Sequence, residues 1–394
     1  MRVGCFCISY SRYDILSAVE TIDNFANAPV GRRRVQALDA LRGFDMIWIV
    51  GLALAMRGFC KLFDGGQNWW FARQFHHVPW DGLAFYDTIF PLFVFIAGVS
   101  FPFSYARQLE RGWSPLKIHL HILRRAAMLV LFGMVYNGLL AFNFENFRYA
   151  SVLGKIGIAW MVAALVYVHC GFRTRLGVLV ALLGGYWALL HCVAPDAPPG
   201  AGSFTLDGCF PGYLDRLGLT PGRLYCDNKL EPSGLAVSTL GSSASAMLGM
   251  FAGGILMGGL SQKRKVLALA AAGVGAGALG LLVSLDCPII KNLWTPSFSL
   301  VVGGYSFLML ALFYWLIDVK GWRKWCVFLE VVGLNSITIY MLNGIVSYRA
   351  ISKFFFGGVA SWFPDPAFIE ALGMCALSWL TCWFLHRHKT HLKI

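Results

Sequence analysis

The sequence predicts an all-α protein, a polytopic membrane helix bundle with about ten transmembrane helices, and two observations lead to that prediction. The chain of 394 residues is 57% hydrophobic and only 13% charged, whereas soluble domains carry about 25% charged residues. A transmembrane helix needs about 20 mostly apolar residues, so this length accommodates about ten helices with short connections. These proportions leave no room for a separate soluble domain.

Ten apolar runs justify the predicted helices one by one. Each run is long enough to cross a membrane, and polar or basic segments separate neighbouring runs. The predicted spans lie at about residues 41–60, 84–106, 121–142, 151–170, 174–194, 235–258, 265–285, 298–317, 326–347 and 366–386.

Charge alternates between successive connections and predicts the topology. With the N-terminus inside, the inner segments from Arg32 onwards hold nineteen lysines and arginines and the outer segments hold ten. Cytoplasmic loops are enriched in these residues, so both termini are predicted to be cytoplasmic. The predicted organisation is a cytoplasmic tail at 1–33, a single transmembrane domain at 34–386 with an outer loop at 195–234, and a second tail at 387–394.

The net charge of +13 follows from the same pattern. Basic residues at the inner membrane surface face anionic lipid, which makes the lipid bilayer the predicted partner of this charge. The basic residues are not interleaved with aromatic residues as in nucleic-acid-binding proteins, so no nucleic-acid partner is predicted.

Two cysteines in the predicted outer loop, Cys209 and Cys226, are candidates for a disulfide, because that loop faces a potentially oxidising compartment. The other reading is two free thiols. No cysteine pair has zinc-ligand spacing with histidine, and no metal site is predicted.

A histidine pair lies at the mouth of the second span, within the stretch "FHHVPWDGLAFYDTIFPLFVFIAG". A histidine titrates near neutrality, so His76 or His77 could act as a general base, a nucleophile or a proton shuttle. Two solvated loop histidines without a special role are the alternative. Asp87 follows about one turn into the span.

Ionisable and amide side chains also lie within or at the ends of predicted spans. A carboxylate there costs roughly 2.5 to 3.5 kcal/mol unless it is paired or hydrated, so Asp45 and Asp87 indicate a polar cavity or a structural ion pair. Arg42 and Lys155 are their possible partners. The remaining polar residues of this kind, for which interhelical hydrogen bonding is the alternative, are Lys291, Asn292, Asn335 and Asn343.

The residues alone leave two classes of function open. A polar interior with an outer histidine is compatible with an enzyme, and equally with a secondary transporter that uses Asp45 and Asp87 as proton-coupling carboxylates. A transporter would show an inverted repeat relating its two halves. The first five and last five spans show no convincing match of that kind.

Several sequence blocks resemble the heparan-α-glucosaminide N-acetyltransferase family and its bacterial relatives. The most specific block has a histidine three residues before Trp80, then Asp-Gly-Leu, then Asp-x-x-Phe-Pro-x-Phe-x-Phe. Together the blocks span residues 34 to 386 in family order. They are "RVQALDALRGFDMIWI", "HVPWDGLAFYDTIFPLFVFIAGVS", "RYASVLGKIGIAWMVAAL", "GYLDRLGL", "LEPSGLAVSTLGS", "KNLWTPSF" and "GLNSITIYMLNG".

The resemblance implies an enzyme that takes acetyl from cytosolic acetyl-CoA and transfers it to the amino group of a glucosamine-type sugar on the outer face. His77 matches the active-site histidine of the family. Its role is either general base in a ternary complex, which we favour, or acetylated intermediate. A membrane O-acyltransferase is a further alternative.

The resemblance also guides the remaining site predictions. It implies the inner membrane of a bacterium, with His77 on the extracytoplasmic side, and a homodimer is one oligomeric state compatible with it. Animal members of the family have no counterpart of Asp45 and carry a histidine in place of Asn343, which leaves the acceptor open. Acetyl-CoA is predicted to contact Arg148, Lys155, Asn335 and Asn343, and the substrate pocket to contain Asp45, Trp80, Asp87, Lys291 and Asn292.

Overall fold

The computed structural model describes residues 35–63, 65–142, 144, 147, 150–219 and 238–390. Within these ranges the chain is a bundle of helices with two isolated β-bridges, which confirms the all-α prediction. The main helices are α1 (Gln36–Lys61), α2 (Phe85–Glu110), α3 (Pro115–Tyr136), α4 (Val152–His169), α5 (Phe172–Leu190), α6 (Phe210–Gly218), α7 (Ser238–Met257), α8 (Gln262–Val283), α9 (Pro296–Val319), α10 (Val327–Leu334), α11 (Ser336–Ile345), α12 (Tyr348–Ala360) and α13 (Pro366–Arg387).

Nine of the described helices are long and apolar enough to cross a membrane, and a tenth crossing is made if α10 and α11 count as one. The spans agree with the apolar runs to within a few residues at most ends. The predicted ninth span is broken, because the chain bends by 67° between α10 and α11. Helix α12, which was not predicted, then packs on α13, where the Ser352 hydroxyl donates to the Glu370 carbonyl oxygen.

The first span is interrupted in its middle by a π-helical segment, Trp48–Leu52. Gly51 adopts a φ of 140° there, and an added Cβ would lie 2.9 Å from the Cys375 sulfur of α13. Only glycine tolerates this conformation and this close approach. Such π-helical turns are frequent at functional sites.

Helices α2 and α7 form the centre of the bundle. A Cβ at Gly98 of α2 would lie 2.1 Å from the Ala246 carbonyl oxygen, and one at Gly249 of α7 would lie 2.0 Å from the Phe95 carbonyl oxygen. Small residues let transmembrane backbones approach this closely. Helices α5 and α8, in contrast, are the most exposed of the spans.

The two ends of the bundle differ in charge. One end carries the connections after α2, α4, α7 and α9 with their lysines and arginines, and we call it the basic end. The opposite end carries His77, and we call it the His77 end. The predicted tail at 1–33 and residues 391–394 lie outside the described ranges, so the cytoplasmic placement of the termini stays a prediction.

Candidate active site

Three polar side chains meet at the His77 end. The His77 Nδ1 atom lies 2.7 Å from an Asp87 oxygen, and the Lys291 Nζ atom lies 3.0 Å from that oxygen. Lys291 Nζ is also 2.7 Å from His77 Nδ1 and 3.4 Å from Nε2. The structure thus brings together His77, Asp87 and Lys291 in one cluster, which we call the histidine cluster.

Asp87 is the buried member of the histidine cluster. Its side chain is 1% exposed, whereas that of His77 is 53% exposed. It is the third residue of α2, and its second oxygen accepts from the backbone N–H groups of Val78 and Ala84, both at 3.2 Å. Backbone donors and the positive end of a helix dipole both favour a carboxylate at this position.

Lys291 reaches His77 because two distant loops pair with each other. The Gly82 N–H donates to the Ile289 carbonyl oxygen at 2.9 Å, and Asp81 forms an isolated antiparallel bridge with Ile290. Trp80 anchors the first loop by donating from Nε1 to the Phe204 carbonyl oxygen at 2.7 Å. Trp80 therefore supports the histidine cluster as part of the loop.

The contacts of His77 are compatible with two tautomers, and one of them suits a general base. Nδ1 carries either a hydrogen or a lone pair, so it cannot serve the carboxylate and the ammonium together. With the hydrogen on Nδ1, His77 donates to Asp87, and Lys291 satisfies its charge on the same carboxylate oxygen. The Nε2 lone pair is then available to accept a proton, and this is the arrangement of an oriented general base.

His76 lies outside the histidine cluster despite being adjacent in sequence. Partial burial, together with the positive charges of Arg57, Lys61 and His77, holds the pKa of His76 below its usual value. Arg57 donates to the Phe75 carbonyl oxygen at 2.6 Å and so fixes the backbone beside it.

Two residues that support His77 were missed in the sequence analysis. The centroids of the Tyr86 and His77 rings lie 4.6 Å apart. The Arg57 guanidinium lies over the Tyr86 ring, 5.2 Å from its centroid. Tyr86 was visible as a neighbour of Asp87. Arg57 was visible as a cation at the predicted outer end of the first span, where basic residues are less common.

Lys155, which was predicted to contact acetyl-CoA, lies at the His77 end and not at the basic end, from which a cytosolic donor would enter. Lys155 is near the start of α4, and its Nζ atom donates to the Ser238 hydroxyl at 3.1 Å. It also lies over the Trp294 ring, 4.4 Å from the centroid. Trp294 belongs to the same turn as Lys291 and Asn292, so Lys155 borders the loop that completes the histidine cluster.

Asp45 is fully buried, and neither of its carboxylate oxygens has a hydrogen-bond partner among the described residues. Of the two alternatives for Asp45, an ion pair with Arg42 or Lys155 is therefore wrong. Arg42 instead contacts Asp39 at 3.3 Å and the Ser100 hydroxyl.

Other buried polar groups on the same side of the bundle also lack partners within the described part of the chain. They are the Trp48 indole N–H, three residues after Asp45, and the Tyr305 hydroxyl of α9, which lies beside Thr88 and within electrostatic range of Asp45. The Trp48 ring packs on Phe85, close to the histidine cluster.

The structure gives the two predicted asparagines structural contacts. Asn335 lies at the bend between α10 and α11 and donates to the carbonyl oxygens of Val331 and Cys382. Asn343 donates to the Ile339 carbonyl oxygen at 3.1 Å. Neither contact involves the histidine cluster. Arg148, the other predicted donor contact, and Cys226 of the predicted disulfide lie outside the described residues.

A polar cavity of about 550 Å³ opens at the basic end, between the start of α1, the C-terminal end of α2 and the start of α3. Arg42, Arg107 and Arg111 line it together with Asp39 and Gln108. Its size lies within the usual range for ligand sites, and its arginines suit phosphate groups. None of these arginines was predicted as a site residue, although all stand out as basic residues at the inner ends of spans.

Two proteins of known activity are similar to this chain. Human heparan-α-glucosaminide N-acetyltransferase is 28% identical, over 78% of the chain and 52% of the human protein. The mouse enzyme of the same name is 29% identical, over 84% of the chain and 56% of the mouse protein. The family resemblance predicted from the sequence blocks is thereby confirmed, and the chain spans about half the length of these relatives. No protein-family model matches the chain.

Proposed function

We propose that this protein is a membrane-embedded acetyltransferase that moves acetyl from acetyl-CoA to the amino group of a glucosamine-type sugar. The observation that supports this most directly is the histidine cluster, in which a buried carboxylate orients an exposed imidazole. The similarity to two N-acetyltransferases supports the reaction class. The resemblance to bacterial relatives supports the inner membrane of a bacterium as the location, with His77 on the extracytoplasmic side.

His77 is the proposed general base. The amine of the sugar attacks the thioester carbonyl carbon, and Nε2 of His77 accepts the proton that the nitrogen loses. The carbon–sulfur bond then breaks, CoA leaves as a thiolate, and His77 returns the proton to that sulfur. Asp87 stabilises the imidazolium formed between these steps, because its oxygen lies 2.7 Å from Nδ1.

Lys291 is the proposed electrostatic partner of the reaction. Its ammonium lies within 3.4 Å of both ring nitrogens of His77, so it stands beside the position where the thioester oxygen becomes negatively charged. A fixed cation at that position stabilises the tetrahedral intermediate. The proposed contacts for the sugar are Asn292, next to Lys291 in sequence, and Trp80 and Lys155, which contact or belong to the two loops of the histidine cluster.

The basic cavity is the proposed entry for the donor. Three arginines there, Arg42, Arg107 and Arg111, suit the phosphates of CoA. Ser100 of the cavity and Asp87 of the histidine cluster are thirteen residues apart on α2, which corresponds to about 20 Å at 1.5 Å per residue. The flexible pantetheine arm of CoA must cover that distance for the thioester to reach His77.

Asp45 lies along the proposed route of the arm. On α1 it falls between Arg42, which lines the cavity, and Trp48, which packs against Phe85 beside the histidine cluster. The unpartnered carboxylate, indole N–H and Tyr305 hydroxyl complement an amide, which offers one donor and one acceptor. We assign this group to the amide-bearing arm of the donor.

The decisive assay uses purified protein with acetyl-CoA and a panel of amino sugars, and it measures free CoA and N-acetylated product. Release of CoA that requires an amino sugar supports the proposal. Acetyl-histidine formed in the absence of acceptor would replace the ternary complex by the two-step route. Sugar uptake into vesicles without CoA release would favour the transporter instead.

Donor sidedness is tested in sealed vesicles of known orientation. Acetyl-CoA added only at the basic end should support transfer to a sugar present only at the His77 end. Arg107→Gln should raise the KM for acetyl-CoA, whereas Arg387→Gln, at the same end but outside the cavity, should not. Equal use of donor supplied only at the His77 end would contradict this route.

A further inference from the structure

A second cavity, of about 450 Å³, lies in the half of the bundle nearer the basic end and differs from the first in chemistry. It is lined by α4, α5, α7 and α8 with Phe307 of α9, and among its described lining residues Arg175 alone is charged. The remaining lining is apolar and includes Leu179, Met250, Phe251 and Ile255. Its helices are transmembrane spans, so the hydrocarbon of the membrane is the medium around it.

The cavity lies beside the two most exposed spans, α5 and α8. Both contribute lining residues, such as Leu176 of α5 and Ala276 of α8. At Gly254 of α7, which also lines the cavity, an added Cβ would meet no atom within 4 Å. The gap is thus an open apolar space between helices.

Two cations stand at the basic end of this cavity. Arg175 lies over the Tyr167 ring, 3.6 Å from its centroid, and donates to the carbonyl oxygens of Tyr167 and Cys170 from Nη2 and Nε. Lys265 donates to the Leu256 carbonyl oxygen at 2.6 Å, next to the lining residue Ile255. These contacts hold both side chains beside the cavity, and each retains further N–H donors.

We propose that this cavity binds a phospholipid with an anionic headgroup, taken from the leaflet at the basic end. One acyl chain occupies the apolar cavity, and the phosphate lies between Arg175 and Lys265. Basic pockets between transmembrane helices bind anionic headgroups in this way. The inference is independent of the proposed acetyltransferase activity, because it concerns a different cavity with different residues.

The chemistry of the lining favours a lipid over the acetyl donor. The CoA nucleotide carries charged phosphates and the pantetheine arm carries amides and a hydroxyl, and burying these groups against an apolar wall without hydrogen bonds would be costly. A hydrocarbon chain makes no such demand, and it fills the space with packing contacts. A bound lipid would join α5 and α8 to the centre of the bundle.

The test counts phospholipid that remains bound after purification in detergent, by native mass spectrometry, with added phosphatidylglycerol or phosphatidylcholine. The unaltered protein should retain one phosphatidylglycerol and no comparable phosphatidylcholine. Gly254→Leu should lose that copy because its side chain fills the cavity. Gly275→Leu, an exposed glycine of α8 with equally open surroundings, is the matched control and should keep it.

The headgroup contact has its own matched pair. Arg175→Gln should weaken retention of phosphatidylglycerol about fivefold, the factor expected from about 1 kcal/mol per basic residue. Lys265→Gln should behave similarly, and the exposed Arg173→Gln, two residues from Arg175, should have a much smaller effect. Unchanged retention by Gly254→Leu, or equal retention of phosphatidylcholine by the unaltered protein, would overturn the proposal.

Discussion

Two of the buried carboxylates in this molecule, Asp87 and Asp45, have opposite surroundings. Asp87 accepts from two backbone N–H groups and contacts His77 and Lys291. Asp45 is equally buried and has no hydrogen-bond partner among the described residues. The protein itself therefore satisfies the Asp87 carboxylate, whereas the function proposed above gives Asp45 its partner in the donor arm.

The largest expected effect concerns the residue that Asp87 orients. His77→Ala should lower the rate of acetyl transfer about 10² to 10⁴-fold, because a general base is lost. His76→Ala is the matched control and should retain much of the activity. The measurement is CoA release under saturating substrates, with acetyl-CoA binding followed separately.

That binding control gives the result its meaning. His77→Ala should bind acetyl-CoA with unchanged affinity, since the histidine serves the chemical step. Near-normal turnover by folded His77→Ala would contradict the mechanism proposed here and favour a transporter.

The second effect concerns the orientation that Asp87 provides. Asp87→Asn should lower kcat about 10²-fold with little change in KM, because a misplaced catalytic group costs about that factor. Asp87→Glu should recover part of the loss. A KM change without a kcat change would mean that Asp87 binds substrate and does not position His77.

The third effect addresses Asp45 and runs in two directions. Asp45→Asn should raise the melting temperature of the ligand-free protein, since an unpartnered buried carboxylate is costly. It should also raise the KM for acetyl-CoA about fivefold through one lost hydrogen bond to the donor. For a shorter thioester donor without amides, the variant and the unaltered protein should have the same KM.

This comparison of donors tests whether Asp45, unlike Asp87, contacts the donor. If the KM of Asp45→Asn rises equally with the donor that lacks amides, Asp45 has a structural role and does not contact the pantetheine arm. If the melting temperature falls, Asp45 has a partner that stabilises the ligand-free state.

The smallest expected effect is the pH dependence due to His76. Its pKa is lowered in the folded protein by burial and by Arg57, Lys61 and His77, so the unfolded chain binds more protons than the folded one at mildly acidic pH. Stability should fall as the pH drops through the unfolded value of about 6.5. Melting temperatures of His76→Gln measured from pH 8 to 5 should show a shallower acid decline, and an unchanged slope would argue against this contribution.

The spans were predictable because burial in hydrocarbon demands about 20 apolar residues in a row, and each such run is visible in the sequence. The bend at Asn335 and the helix Tyr348–Ala360 were not, because hydropathy records where a chain is apolar and not where it changes direction. The π-helical segment around Gly51 was not predictable for the same reason. Local composition does not show that Gly51 packs against Cys375, which is far away in sequence.

The site was predictable in part. His77 and Asp87 are ten residues apart and appeared together in one motif, whereas the contact with Lys291 depends on the pairing of two loops far apart in sequence. Lys155 was assigned to the contacts of a cytosolic donor, although it begins a span that the predicted topology starts on the outer side. The missing partner of Asp45 could not be foreseen, since a carboxylate in a span is compatible with pairing and with a ligand site.

The pairing of those two loops also constrains how the protein is made. His77 and Lys291 are 214 residues apart, and a ribosome adding 5 to 20 residues per second needs roughly 10 to 40 s to cover that interval. During that time α2 to α8 are synthesised while the Asp87 carboxylate has no cationic side chain from the later loop. Early helices are therefore made with an incomplete site, in which the Asp87 carboxylate has only the early contacts from Val78, Ala84 and His77 until the loop before α9 emerges.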